Sequence, residues 1–222
     1  MDVSEQPRVG QPVNRKEDDR LLTGGGRYTD DVSFPNQTFG YFLRSAYAHG
    51  AIRRIDTRAA RTAPRVIAVY TAADLAPAGY GYPPCPAPIT SLDGTPVIVP
   101  PRPLLASARV RYVGEPVALV VAASPMAPRD AAERIELDVE PLPVVTDMAA
   151  ALEPDAPRLH DEAPGNLCLD WRFGDFDAIE KAIAGAAHVT RLRIENNRVV
   201  ALPLEPRAAV AEFDAAADRF TL

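Results

Sequence analysis

A proline-rich stretch in the first half of the chain most constrains its fold. Between Ala76 and Pro103 there are nine prolines and three glycines. Proline lacks a backbone N–H and fixes φ, so it interrupts both helices and strand ladders. We therefore predict a long loop over residues 76–103 that separates two regions of regular structure. Long loops in compact domains commonly contact a ligand or partner, and Tyr80 and Tyr82 favour a contact surface here. A meandering surface loop is the alternative.

Short apolar runs before this loop predict alternating strands and helices. Asp56 is a predicted cap for a short helix that ends at Arg61. Thr71 and Asp74 have the spacing of a capping box, in which an acid at the third helical position bonds back to the cap. The predicted strands are residues 39–44, 51–55 and 66–70.

The region after the loop contains the strongest indication of a buried strand, the run Val-Ala-Leu-Val-Val-Ala at residues 117–122. Ser124 is the predicted cap of a helix that ends near Ile135, with Pro125 at its first position, where a missing N–H costs nothing. Ordered structure is predicted to return at residues 109–116, and the alternating residues 136–140 are a further predicted strand.

A second unit is predicted to begin near residue 167. The pattern Asp177–Glu180 is typical of a capped helix start, and Ile179 and Ile183 fall on one helical face. The predicted strands around it are residues 168–173, 189–194, 208–213 and 219–222. This β-α-β-β-β order stops within a sheet-like pattern, so we expect the second domain to be incomplete.

Composition and charge exclude several classes of protein. The net charge is -6 and no basic stripe is present, which argues against nucleic acid as a partner. Residues 1–6 lack an apolar signal core, and the longest apolar run, residues 117–123, is too short to span a bilayer. Cys85 and Cys168 are isolated and read as free thiols. We expect a soluble cytoplasmic protein.

Candidate catalytic residues are few and scattered. The three histidines, His49, His160 and His188, lie far apart in the sequence. No nucleophile can be paired with any of them, so a self-sufficient hydrolase is disfavoured. The adjacent acids at residues 18–19 and 30–31 would point to opposite faces of a strand. Gly24–Gly26 lacks the features of a phosphate loop and is interpreted as a turn.

Glu205 is the most interesting acid, because it stands with Arg207 among prolines in a rigid turn. It could orient a charge toward a cavity, or form a surface pair or an interface bond. No catalytic, cofactor-binding or metal-binding residue is assigned from the sequence.

An ordered set of short motifs carries a family resemblance. It comprises Arg20–Gly24, Gly26–Tyr28, Asp30–Asp31, Phe42–Ser45, Ala48–His49, Ile55–Thr57, Arg111–Ala118, Glu140–Pro143 and Leu204–Arg207. In this order and spacing they resemble the N-terminal part of the molybdopterin-binding large subunit of the xanthine dehydrogenase, aldehyde oxidase and carbon monoxide dehydrogenase family. The resemblance extends from about Arg15 to Leu222.

The resemblance implies a mixed α/β (α+β) fold. A flexible arm at residues 1–19 would precede an α/β-hammerhead domain at 20–145. A linker at 146–166, with a helical turn near 148–152, would lead to the truncated start of a molybdopterin-binding domain at 167–222.

The resemblance also implies an oxidoreductase. Family members hydroxylate an aldehyde, purine or N-heterocycle with oxygen from water, or oxidise CO. They use molybdopterin, with iron–sulfur centres and FAD on partner subunits. In the family the pterin-contacting glutamine, the glycine-rich loops and the catalytic glutamate lie beyond the position that matches Leu222. This chain is therefore expected to bind no cofactor alone and to need a chain that carries the remaining molybdopterin-binding domains. Glu205 matches a family motif with a structural role. The alternative is a non-catalytic assembly module that uses loop 76–103.

Overall fold

The computed structural model describes residues 9–10, 15–80, 89–196, 199, 201, 203 and 207–222. Contacts divide the chain into a larger unit, Asn36–Arg191, and a smaller unit made of Met1–Pro35 with Leu192–Leu222. Helices and strands occur together, and the predicted mixed α and β fold is confirmed. Glu205 and Cys85, like Tyr82, lie outside the described residues.

The larger unit contains two antiparallel three-stranded sheets. Its strands are β1 (Phe39–Arg44), β2 (Gly50–Asp56), β3 (Val66–Thr71), β4 (Arg109–Val110), β5 (Pro116–Ala122) and β6 (Glu136–Pro141). In the first sheet β5 lies between β1 and β3, and in the second β2 lies between β4 and β6. The predicted strands 39–44, 51–55, 66–70, 117–122 and 136–140 are therefore confirmed, with bounds that differ by no more than one residue.

The helices of the described residues are short. They are α1 (Asp18–Leu22), α2 (Arg58–Arg61), α3 (Ala72–Leu75), α4 (Ala127–Ala132) and α5 (Phe176–Ala184). Four 3-10 turns accompany them, at Thr29–Asp31, Ala76–Ala78, Ala150–Leu152 and Pro164–Asn166. The predicted capping box is confirmed, since Asp74 accepts the Thr71 N–H at 2.7 Å. The cap of α2 is Thr57 and not the predicted Asp56, although an Asp56 carboxylate oxygen accepts the Arg58 N–H at 3.1 Å.

Strand β5 contributes to two hydrophobic cores. Ala118 and Val120 face a cluster built with α2, β3 and α4. Val117 faces the other side, where it packs with Val110 and Val139 of the second sheet. Because successive side chains of a strand point to opposite faces, only a strand that is apolar on both faces can serve both clusters.

Two helix starts were predicted wrongly. Helix α4 begins at Ala127, after Met126, so Ser124 and Pro125 precede it, and it ends at Ala132. Pro128 occupies the first turn, where its missing N–H is tolerated. Helix α5 is capped by Asp175, whose extended backbone lets the carboxylate accept the Ala178 N–H at 3.0 Å. The true cap thus lies two residues before the predicted Asp177.

Several predicted strands were wrong or too long. Among the described residues, segments 168–173 and 189–194 belong to no ladder. In the 109–116 run, residues 109–110 form β4 and residue 116 begins β5. Gly114 has φ 91°, so the chain turns there. The C-terminal hairpin consists of β7 (Glu212–Asp214) and β8 (Arg219–Thr221). The predicted strand 219–222 is therefore confirmed to within one residue, whereas the predicted strand 208–213 begins too early and overlaps β7 only at residues 212–213. The β-α-β-β-β order is therefore not observed.

Gly50 in β2 generates a prediction about the contact between β2 and β6. A Cβ there would overlap the Cγ1 methyl of buried Val139, whereas a Cβ at Gly40 in β1 would meet its nearest atom, Leu119 Cδ1, at 3.4 Å. We expect Gly50→Ala to lower the free energy of unfolding by about 1–3 kcal/mol, as overpacking does. Gly40→Ala is the matched control and should change it by less than about 1 kcal/mol. Urea denaturation would measure both, and equal effects would contradict the prediction.

Candidate functional site

Two of the quoted motifs meet where β1 ends and β5 begins. The Ser45 N–H donates to the Glu115 carbonyl at 2.9 Å, and the Gly114 N–H donates to the Ser45 carbonyl at 2.8 Å. The Arg44 guanidinium donates to the Gly114 carbonyl at 2.8 Å. We call residues 44–45 and 111–116 the β1–β5 junction. Its bonds fix the end of β1 against the turn that leads into β5.

Glu115 is a buried acid at the centre of this junction. Its carboxylate accepts the Arg111 N–H at 2.5 Å and so closes the turn on itself. The Arg111 side chain reaches in another direction, where its Nε–H donates to the Leu159 carbonyl at 2.9 Å. A buried carboxylate needs such partners because desolvation of an unpaired charge is costly. Glu115 is thus engaged in holding the fold.

His49 is buried and fastens the end of β6 to the start of β2. Its Nδ1 lies 2.7 Å from the Pro143 carbonyl, and the Leu142 N–H donates to the His49 carbonyl at 3.1 Å. Since a carbonyl can only accept, Nδ1 carries a proton. Nε2 is buried without a hydrogen-bond partner among the described residues. His49 therefore acts first as a structural link.

Asn166 organises the segment between the sheets and α5. Its side-chain oxygen accepts the Leu159 N–H, and its Nδ2 donates to the carbonyls of Ala151 and Pro157, each at 3.0 Å. We call residues 150–166 the strap. Gly165 and Asn166 both have positive φ, 66° and 55°, a conformation that glycine and asparagine tolerate best. The sequence analysis missed Asn166, although this Gly-Asn pair was the available signal.

His160 lies in the strap near Arg111. Burial is the main cause that lowers the pKa of His160, and the positive charges of Arg111 and Arg102 lower it further. The negative charges of Glu162 and Asp161 oppose this shift in part. Its Nδ1 is buried without a partner among the described residues. The fold therefore favours the neutral His160 ring. Next to it, the Arg109 guanidinium lies 3.5 Å from the Asp161 carboxylate and connects the strap to β4.

Part of the proline-rich loop binds the chain's own backbone. The Leu92 N–H donates to the Asp170 carbonyl and the Ile98 N–H donates to the Cys168 carbonyl, both at 2.9 Å. The Asp170 N–H in turn lies 3.3 Å from the Ser91 hydroxyl. We call residues 89–98 and 168–170 the clamp. Segment 168–170 therefore bonds to a loop and not to a sheet.

A surface ion cluster lies at the outer end of β2. The Arg58 side chain donates to the Asp56 carboxylate and, with a smaller contribution from Arg54, holds the pKa of Asp56 well below its usual range. Arg54 also bonds Glu136 at 2.8 Å. The arginines and Glu136 are exposed, and exposed pairs contribute little to stability. The cluster orients the start of α2 and has no nucleophile.

The remaining candidate residues do not assemble into a catalytic site. His188 is exposed, and its Nε2 lies 3.2 Å from the Thr190 hydroxyl, with no carboxylate hydrogen-bonded to the ring among the described residues. Asp31 accepts the Tyr28 N–H at 2.9 Å within a turn, and Asp18 and Asp19 lie on short α1. No three potential metal-ligating side chains converge in the described part of the chain.

The smaller unit contains an apolar cavity of about 400 Å³. Phe34, Val210 and Leu222 contribute apolar surface, and Glu212 is the charged residue of the lining. Behind it, Phe213 and Phe220 pack across the β7–β8 hairpin with ring centroids 4.6 Å apart. Among the described residues of its lining, the cavity offers no cation for an anionic ligand.

Comparison with known proteins identifies the family. The sequence model of the aldehyde oxidase and xanthine dehydrogenase a/b hammerhead domain matches residues 23–143. The chain belongs to this family. The model of the molybdopterin cofactor-binding domain matches residues 159–222. The family resemblance stated from the motifs is therefore confirmed.

Curated relatives are much longer than this chain. The carbon monoxide dehydrogenase large chain of Afipia carboxidovorans is 38% identical over 96% of this chain, which spans 27% of that relative. The nicotine 6-hydroxylase large subunit of Paenarthrobacter nicotinovorans is 39% identical over 96% of this chain, which spans 25% of it. The chain thus spans about a quarter of the length of these family members.

A solved structure supports the same family assignment. The quinoline 2-oxidoreductase of Pseudomonas putida 86 superimposes with a TM-score of 0.76 at 35% identity, over 96% of this chain and 26% of that one. The hammerhead fold expected from the resemblance is therefore shown.

The described residues do not fit the molybdenum cofactor that the family implies. The cofactor is an anionic, phosphate-bearing pterin, and such groups are held by backbone N–H cradles, helix N-termini or cations. Glu212 is the charged residue among the described lining of the cavity in the smaller unit, and an acid does not suit an anionic group. Within the described part of the chain, no helix has the length and apolarity needed to cross a membrane.

The β1–β5 junction predicts a large effect of removing Glu115. We expect Glu115→Ala to lower the free energy of unfolding by about 1.5–3 kcal/mol, because the Arg111 N–H loses a charged acceptor. Glu133→Ala is the control, since that exposed acid is 4.0 Å from its only ion-pair partner, Arg129. Urea denaturation at neutral pH would compare the two variants. A Glu115→Ala effect no larger than the control effect would contradict the proposed role.

The environment of His160 predicts a pH effect on stability. In the unfolded chain its pKa returns to about 6.5, so below that pH the unfolded state binds more protons than the fold does. The free energy of unfolding should therefore fall as the pH decreases from about 6.5 toward the lowered pKa of the fold. His160→Gln removes this contribution and should show a smaller loss, whereas exposed His188→Gln should behave like wild type. Identical pH profiles for wild type and His160→Gln would refute this account.

Proposed function

We propose that this chain supplies the hammerhead domain and the beginning of the cofactor-binding domain of a molybdenum hydroxylase large subunit. One observation carries the proposal: both domain types match in order, yet the chain spans only about a quarter of its relatives. We infer that the chain alone neither binds molybdopterin nor catalyses a reaction. The acid in the lining of the smaller unit's cavity, which does not suit an anionic cofactor, supports this inference.

The proposed domain division follows the sequence prediction: an arm at residues 1–19, the hammerhead at 20–145, a linker at 146–166 and the start of the cofactor-binding domain at 167–222. The matches at 23–143 and 159–222 support it. The linker contains the whole strap, which is bonded to the β1–β5 junction through Arg111 and Leu159. This proposed linker would therefore fix the chain that leaves the hammerhead.

The proposed role of the chain's own residues is to orient that departing chain. The Asn166 side chain fixes the strap, residues 150–166, by a hydrogen bond to Leu159. Two backbone hydrogen bonds from Leu92 and Ile98 then fix residues 168–170. Residues from 168 onward would thus enter the cofactor-binding domain from a fixed position. Glu205 would contribute structurally to this region, as the family motif implies.

The proposed reaction class is that of the complete enzyme. With molybdopterin bound, it would hydroxylate an aldehyde, purine or N-heterocycle with oxygen from water, or oxidise CO. Names of relatives that include carbon monoxide, nicotine and quinoline enzymes support this range. Partner subunits with iron–sulfur centres and FAD would accept the electrons, and we place the assembly in the cytoplasm.

The alternative function, an assembly module that uses loop 76–103, has less support. Residues 92 and 98 of that loop already bind the chain's own residues 168–170. Tyr80 remains exposed. A module of this kind would have to use the part of the loop before Ile89.

The proposal predicts that the isolated chain contains no molybdenum. We expect less than about one tenth of an equivalent of metal by mass spectrometry after expression in a host that makes the cofactor. No absorption band should appear in the visible range, because the chain would carry neither flavin nor iron–sulfur clusters. A complete large subunit of a relative, purified in parallel, is the control for cofactor supply. Stoichiometric molybdenum on the isolated chain would overturn the proposal.

A further inference from the structure

The turn in the clamp contains two neighbouring residues that can react with each other. Asp93 is followed by Gly94, and the sequence has no other aspartate before a glycine. At such a pair the glycine nitrogen can attack the Cγ carbon of the aspartate, because glycine has no side chain to hinder the approach. The Cγ–N bond that forms closes a five-membered succinimide, and the carboxyl hydroxyl leaves with the amide hydrogen as water.

Water then reopens the succinimide at either of its two carbonyl carbons. Attack at the former main-chain carbonyl breaks the original peptide bond, so the main chain now passes through Cγ and the α-carboxylate becomes the side group. The product is isoaspartate, which has one more methylene in its main chain. One water leaves and one water enters, so the rearrangement needs no enzyme, oxidant or cofactor.

The backbone around Gly94 leaves room for this reaction. Asp93, Gly94 and Thr95 are all exposed. Gly94 has φ 83°, and apart from its chain neighbours no described atom lies within 4 Å of the position that a Cβ would take there. Steric crowding by the rest of the described chain therefore does not keep the nitrogen of Gly94 and the Cγ of Asp93 apart.

Hydrogen bonds of the turn instead hold both reacting groups. The Gly94 N–H donates to the Ser91 carbonyl at 2.9 Å. Oδ1 of Asp93 accepts the Thr95 hydroxyl at 2.7 Å and the Thr95 N–H at 2.9 Å. The hydroxyl is the first cause, and the N–H the second, that lowers the pKa of Asp93 below its usual value. The side chain therefore stays an ionised carboxylate, which has no hydroxyl to lose as water.

The clamp keeps this turn closed. The Ser91 N–H donates to the Thr95 carbonyl at 2.7 Å across the turn. From the other segment, the Asp170 carbonyl accepts the Leu92 N–H at 2.9 Å, and the Asp170 N–H lies 3.3 Å from the Ser91 hydroxyl. Because the turn is bonded both within itself and to the second segment, the two reacting groups gain freedom to move only when several bonds open together.

We propose that Asp93–Gly94 is a site of spontaneous isoaspartate formation, and that the closed clamp keeps it unreactive. The modified turn is longer by one methylene, so the Ser91 N–H and the Thr95 carbonyl no longer meet in the same geometry. Isomerisation while the clamp is open therefore prevents Leu92 from bonding to Asp170 as before. The modification turns a reversible opening of the clamp into a permanent one.

The test measures isoaspartate at residue 93 in the purified chain during storage at neutral pH. An isoaspartate methyltransferase labels the free α-carboxylate with a methyl group from S-adenosylmethionine, and peptide mass spectrometry assigns its position. A synthetic peptide of residues 89–98 is the unprotected reference, because it lacks the second segment of the clamp. Thr95→Val removes the hydroxyl donor but keeps the size and the N–H of the residue. Thr90→Val is the matched control, since it makes the same exchange just before the turn and leaves the bonds of Asp93 in place.

We expect the wild-type chain to form isoaspartate at least about tenfold more slowly than the peptide, because a slow reaction follows the population of the open clamp. Thr95→Val should raise the wild-type rate about two- to tenfold, which corresponds to the loss of one hydrogen bond. Thr90→Val should keep the wild-type rate. Asp93→Glu should abolish the signal, because its longer side chain would have to close a six-membered ring.

Three results would overturn the inference. If the peptide forms no isoaspartate at residue 93, the pair is not reactive. If the wild-type chain reacts as fast as the peptide, the clamp does not protect the pair. If Thr95→Val reacts at the same rate as wild type and Thr90→Val, the hydroxyl bond to Asp93 does not restrain the reaction.

Hydrogen exchange of the modified chain checks the consequence for the clamp. Ion-exchange chromatography separates the modified fraction, and mass spectrometry follows the Leu92 and Ile98 amides, which donate to Asp170 and Cys168 in the closed clamp. Both amides should exchange about tenfold or more faster in the modified fraction, whereas the Ser45 amide of the β1–β5 junction should be unchanged. Equal protection of the two clamp amides in both fractions would contradict the claim that isomerisation holds the clamp open.

Discussion

The fold depends on one strand that is buried on both faces. Strand β5 is the central member of its sheet, and its side chains enter both hydrophobic cores. Ala118 packs near the alanines of α2 and α4, and such small side chains allow helices to lie close to a sheet. Val117 on the opposite face contacts the second sheet. Both sheets are therefore positioned by a single apolar run, and disruption of β5 would separate them.

The β1–β5 junction explains why the quoted motifs occur together. Arg44, Ser45 and Glu115 are polar residues that would be exposed or unsatisfied in isolation. Together they satisfy the backbone groups of a tight turn at the entrance to β5. The motifs thus encode the geometry of a scaffold in this family, and their presence does not by itself indicate a catalytic site.

Local patterns predicted those strands whose apolar side chains enter a hydrophobic core and whose backbones join a sheet. The runs at 39–44 and 117–122 became strands because their apolar residues have a sheet and a core to enter. The equally regular alternation at 168–173 and 189–194 did not produce strands, because alternation indicates an amphipathic surface but does not provide a neighbouring strand. The helix starts were misplaced by two residues where several capping residues competed, as at Asp175 and Asp177.

The site residues were harder to predict than the fold. Glu115 and Arg111 were quoted as part of a motif, but their separate bonds, one within the turn and one to the strap, are set by tertiary structure. Asn166 makes three bonds to residues 7 to 15 positions away, which no short-range pattern encodes. His49 looked like an isolated polar residue because its carbonyl partner is 94 residues distant.

The order of strands in the first sheet also has a consequence for synthesis on the ribosome. Strands β1 and β3 pair only with β5, so their partner is made last. Phe39 pairs with Ala122, and until that residue leaves the exit tunnel more than eighty residues of nascent chain have no sheet to join. Closing loops of this length is slow, and unpaired apolar strands associate readily with one another. The first half of this protein should therefore need protection by chaperones that act during translation, before any cofactor or partner subunit is encountered.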